Sequence, residues 1–150
     1  MRQLEALEDF AFAEGVDVLS KASPSSRKGC CMQQDGQSVI FLNELRINGD
    51  PDKTCVLAEE LGHIQTGALL AWEAYLRPDY ARWVKRKNKL YAQRWAIQSI
   101  LPHERIQEAL DGGHVGDYEL AEELQVPEDF LRAAFAYYVR QGVTFVFPEA

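Results

Sequence analysis

Leu57-Ala58-Glu59-Glu60-Leu61-Gly62-His63-Ile64-Gln65-Thr66-Gly67 is the stretch that decides how this chain is read. On a helix each residue advances about 100°. With Glu59 at zero, His63 falls at about 40° and Glu60 at about 100°, so the three groups share one face. Leu57, Leu61 and Ile64 gather between about 140° and 200°, the side that packs inward. Val56 and Ile64, one turn either side of Glu60, are apolar, so no Lys or Arg at that spacing neutralises its carboxylate. Two carboxylates and an imidazole therefore project from an otherwise apolar helix. This is the arrangement of a metal-binding helix, in which residues i and i+4 ligate and the carboxylate at i+1 acts as base. Glu59 and His63 are the candidate metal ligands, and Glu60 is the candidate catalytic base. Gly62 costs roughly 1 kcal/mol relative to Ala inside a helix, so its place beside His63 predicts another backbone passing close by.

Outward from this helix, Asp50 and Pro51 predict its start, as N-cap and first helical residue, and Gly67 its end. Upstream, Leu4, Leu7, Phe10 and Ala11 recur at helical spacing until Gly15. Val16 to Leu19 reads as a short strand, and Ala22 to Ser26 as a polar loop. Gly29–Gln34 and Gln37–Asn43 read as a hairpin, because Asp35-Gly36 supplies the positive φ angles of a two-residue turn. Val39-Ile40-Phe41-Leu42 lacks alternation, which predicts a strand covered on both faces. Downstream, Ala68 to Leu76 is helical in pattern, and Tyr80 to Ile100 is a long helix. Pro102 opens a short helix carrying Ile106 and Leu110. Asp117–Gln125 and Pro127–Gln141 are two more, with Gly142 as a stop. Val143 to Phe147 is either a terminal strand or an apolar tail folded over a groove or partner. Roughly three early strands followed by about six helices indicate an α+β fold in one domain spanning residues 1–150.

Leu57-Ala58-Glu59-Glu60-Leu61-Gly62-His63 resembles the active-site helix of the ImmA/IrrE family of zinc-metallopeptidase-like proteins, whose usual motif is H-E-x-x-H. The likeness extends over nearly the whole chain. Arg27-Lys28-Gly29 and Ser38 to Asn43 resemble the family's leading hairpin. Ala92-Gln93-Arg94-Trp95-Ala96 and Leu101-Pro102 resemble its next helix. Tyr118 to Glu122 and Val126 to Phe130 resemble the tail of one branch. The resemblance implies a zincin-like fold, with a small N-terminal sheet, an active-site helix and a C-terminal group of helices. It implies a hydrolase of phage or prophage type that uses zinc to cut a protein substrate, a transcriptional repressor. It also implies that the Gly29-Cys30-Cys31 strand lines the substrate cleft, although an ordinary sheet strand needs no such role. Two positions depart from the pattern. Glu59 stands where most members carry the first metal His, although a branch with Glu-Glu-Leu-Gly-His exists. Lys89 stands where the third ligand is usually Glu.

The composition is that of a soluble globule, with 47% hydrophobic and 26% charged residues. There is no apolar run of about 18 residues and no charged-then-apolar leader, so neither a membrane span nor a secretion signal is expected. Cys30, Cys31 and Cys55 form no C-x-x-C pair and read as reduced thiols of a cytoplasmic protein. The net charge of −7 is uneven. Arg77, Arg82, Lys85, Arg86, Lys87, Lys89 and Arg94 lie in one segment with a single acid, Asp79. An acidic chain is a poor candidate for direct nucleic-acid binding, while this strip could dock an acidic partner or be a solvated helix face.

Zinc would need a third protein ligand, for which Glu73 and Asp79 are the candidates. His103 and His114 read as structural. The helix pair joined at Gln125-Val126-Pro127 resembles a helix-turn-helix, but Glu128 and Asp129 at the start of its second helix would repel phosphates. Two functions follow: a zinc metallopeptidase acting on a repressor, with Glu60 as base, or a catalytically degenerate relative that binds a regulator without cleaving it. In the second, Lys89 takes the place of the metal's charge beside Glu59 or Glu60.

Overall fold

A computed structural model describes residues 2–67 and 78–149. Six helices and three strands lie in that span: α1 (Gln3–Ala13), β1 (Val16–Lys21), β2 (Gly29–Gln34), β3 (Gln37–Asn43), α2 (Gly49–Gln65), α3 (Pro78–Ile100), α4 (His103–Asp111), α5 (Asp117–Leu124) and α6 (Glu128–Arg140). The mixed α+β architecture agrees with the sequence pattern. The helix expected over Ala68 to Leu76, and Glu73 within it, lie outside the described residues.

The sheet has the order β1-β3-β2. β3 runs parallel to β1 and antiparallel to β2. The β2–β3 turn has positive φ at Asp35 (53°) and Gly36 (78°), as the two-residue hairpin requires. That turn sets the register, pairing Cys31 with Ile40 and Cys30 with Phe41. The expectation that β3 is covered on both faces is corrected. Ser38, Ile40 and Leu42 are buried, whereas Val39 and Phe41 on the opposite face are only half-buried.

Leu57 and Leu61 of α2 are fully buried, together with Ile40, Ile97, Leu101, Ile106, Leu110, Leu120 and Leu131. One cluster of buried side chains thus runs from α1 to α6. α2 packs most extensively on α3, crossing it where Gly62 faces Ala92, which is the close backbone that Gly62 foretold. The start of α2 is also corrected. It begins at Gly49, so Asn48 is the N-cap and Pro51 lies in the third helical position, still within the first turn where proline loses no helical bond. The Asp52 carboxylate accepts the Asn48 N–H at 2.9 Å and so ties down this end. α3 is described from Pro78 to Ile100 and so takes in the expected Tyr80 to Ile100, and β1 continues to Lys21 rather than Leu19.

The terminal strand is not formed. The residues from Val143 lie over α4 and α6, with Phe145 against Phe135 at 4.9 Å between ring centres. The Gln107 side chain pins this tail. Its Nε2 donates to the Val146 carbonyl at 2.7 Å, and its Oε1 accepts the Val146 N–H at 3.0 Å. α5 ends on Gln125 with φ 58°, and α6 buries Phe130, Leu131, Ala134, Tyr137 and Tyr138 in the core. The α5–α6 pair is therefore part of the packed body.

Candidate functional site

α2 carries Glu59, Glu60 and His63, all half-buried, on a helix whose other face is in the core. β2 presses on this helix from the sheet. A Cβ added to Gly29 would stand 2.8 Å from Val56 Cγ1 and 3.4 Å from Glu60 Cγ, so glycine lets the strand lie directly on Glu60. The Cys31 thiol is close enough to hydrogen-bond the Glu60 carboxylate. Burial, reinforced by that carboxylate, pushes the Cys31 thiol up to about 12, so at neutral pH it is a protonated donor. Burial raises the Glu60 carboxyl above its usual range, and the Cys31 bond, His63 and Arg27 pull it part of the way back.

Glu59 has different neighbours. It lines a hollow of about 200 Å³ with Lys28, Asp52, Cys55, Gln93 and Asp129. Burial raises its carboxyl as well, Lys89 opposes that shift, and Glu60, Asp129 and Asp52 add to it. Lys28 Nζ donates to both Asp52 carboxylate oxygens, at 3.1 and 2.9 Å. Thus Glu60 sits among Cys31, His63 and Arg27, while Glu59 faces acids and the Lys89 ammonium.

A zinc site needs about three protein donors and an open position. α2 offers Glu59 and His63, but no group of three or more His, Cys, Asp or Glu able to hold a metal ion occurs among the described residues. Asp79, one candidate for the third ligand, is exposed at the start of α3 and pairs with Arg82. Glu73, the other, lies outside the described residues. The described donors do not by themselves complete a zinc set. His103 pairs with Glu104 at 3.1 Å and meets the Tyr138 ring in a T-shaped contact, and His114 lies 3.6 Å from Glu123.

Sequence reasoning did not single out Arg27, Asp52 or Asp129 as neighbours of the motif, and it brought Cys31 near only as part of a strand that the resemblance sets along the cleft. It also missed Asn43, a buried residue that shapes the approach to Glu60. Asn43 Oδ1 accepts the N–H groups of Ser23 and Leu45, and Nδ2 donates to the carbonyls of Ser23, Ser25 and Arg27. One side chain thus holds the loop that delivers Arg27.

Comparison of the chain with known protein families, with characterised proteins and with solved structures finds no match. No described helix is long and apolar enough to cross a membrane.

Proposed function

We propose that this chain is a cytoplasmic metallopeptidase-like protein of the ImmA/IrrE type that holds an extended segment of a transcriptional regulator without cleaving it. The observation that carries this reading is Lys89. Its ammonium bears on Glu59 from the position where the family resemblance calls for an acidic ligand. A cation there takes over part of a metal's electrostatic role toward Glu59 and supplies no Lewis acid. β2, at an edge of the described sheet beside Glu60, offers main-chain groups to an extended peptide. The test is co-expression with a repressor encoded alongside the chain. Co-purification of full-length repressor supports the reading, and a shortened repressor contradicts it.

A second reading, a zinc-dependent peptidase acting on the same repressor, is favoured by one specific feature. Glu60 is half-buried beside His63 with its carboxyl raised, as suits a group that takes a proton from attacking water near neutral pH. This reading requires zinc held by Glu59, His63 and a further donor. Glu60→Gln separates the two. Under the peptidase reading it lowers cleavage by ~10²–10⁴, while under the binding reading it leaves regulator affinity nearly unchanged.

A further inference from the structure

We propose that the chain forms a two-fold dimer through β1, whose outer edge, unpaired among the described residues, is complementary to itself. β1 stands at one end of the described sheet, hydrogen-bonded to β3 on one side. Its inner side chains are Val16, which is buried, and Val18, which is half-buried opposite Ile40. Asp17, Leu19 and Lys21 alternate onto the other face and are exposed, Leu19 by 41% despite being apolar. Leu19 is the centre of a symmetric pattern, with an acid two residues before it and a base two residues after.

Antiparallel pairing about a two-fold axis at Leu19 sets Leu19 against Leu19 of the second copy. It places each Asp17 opposite a Lys21, giving two ion pairs on the same face as the leucines. A parallel, in-register pairing would instead stack Asp17 on Asp17 and Lys21 on Lys21. Charge thus selects one orientation. Charged side chains usually blunt a sheet edge, but here they are spaced to attract a second copy rather than repel it. The product is a continuous six-stranded sheet with both helical layers on one side. Beneath the same edge lies a hollow of about 340 Å³ whose lining mixes apolar side chains, among them Val16, Leu42 and Phe12, with polar ones such as Glu8 and Lys53. Phe12 is 87% exposed at its rim, and a second copy paired along β1 would approach and cover it.

Light scattering and sedimentation of the full chain across micromolar concentrations test this. The wild type is expected to dimerise reversibly. Lys21→Asp sets acid against acid twice and is expected to weaken the dimer roughly tenfold. Adding Asp17→Lys to that variant restores opposite charges and should restore dimerisation. Leu19→Lys, which places two cations at the centre, should also weaken it. Circular dichroism checks that each variant remains folded. A wild type that stays monomeric, a Lys21→Asp protein that dimerises as well as wild type, or a folded double variant that does not recover would each overturn the proposal.

Discussion

The carbonyl oxygen of Ala92 lies 2.5 Å from the point that a Cβ on Gly62 would occupy, and the Ala92 Cα lies 3.0 Å from it. α2 and α3 therefore touch backbone to backbone one residue before His63. The contact brings the helix that carries Lys89 against the helix that carries Glu59. Gly62→Ala should destabilise the protein by about 1–3 kcal/mol through overpacking, although Ala is the better helix former by roughly 1 kcal/mol. Denaturant unfolding measures the difference, and a more stable variant would show that the two helices separate freely.

Asn43→Ala removes the acceptor and donor that fix five backbone groups of the Ser23–Arg27 loop and Leu45. A loss of about 2–4 kcal/mol is expected, more than a single hydrogen bond contributes, because the loop's carbonyls lose their shared partner together. Unfolding midpoints with unchanged m-values would measure it. A change within a few tenths of a kcal/mol would mean that the loop finds other partners.

Tyr138→Phe tests the opposite end of the core. The Tyr138 hydroxyl donates to the Leu101 carbonyl at 2.6 Å in a buried setting. Deleting it leaves that carbonyl without this donor and should cost about 1–2 kcal/mol, with the fold retained by circular dichroism.

The pH dependence of stability follows from the two glutamates. Burial raises both carboxyls in the folded state, more than the Cys31 bond, His63 and Arg27 lower Glu60, and more than Lys89 lowers Glu59. Each then keeps its proton in the folded chain over a range where the unfolded chain has released it. The stability this contributes is full below the unfolded carboxyl value of about 4.3 and is lost as pH rises through the folded value. Glu59→Gln and Glu60→Gln should therefore raise Tm more at neutral pH than near pH ~4. Equal shifts at both would indicate that neither carboxyl is raised.

The order of elements was legible because each carries its own punctuation. Asp35-Gly36 fixed the hairpin, Gly15, Gly67 and Gly142 ended helices, and the leucines of α2 marked its buried face. The start of α2 was misplaced because Asp50 and Asn48 are both competent caps, and only the fold chooses between them. The coverage of β3 was misjudged because four apolar residues in a row carry no record of which face a helix will meet. Glu59, Glu60 and His63 could be placed on one helix by periodicity, yet their different neighbours could not be foreseen. Those arise from β2, α3 and the start of α6, brought in from distant sequence. Cys31 was within reach, since the two-residue turn fixes the register that sets it beside buried Ile40 and toward α2.

Lys89→Glu converts the cation beside Glu59 into the carboxylate that a third ligand would require. The variant is expected to bind zinc more tightly than the wild type by calorimetry. No gain would argue that Lys89 does not reach the site, and with it the reading of this residue as a stand-in for the metal's charge.

The zinc content of the wild-type chain, purified without chelator from zinc-containing medium, tests the central claim most directly. A protein whose Lys89 takes the metal's part should carry far less than one zinc per chain, with His63→Ala no lower than the wild type. About one zinc per wild-type chain, lost on His63→Ala with the fold intact, would contradict that account and point to the peptidase.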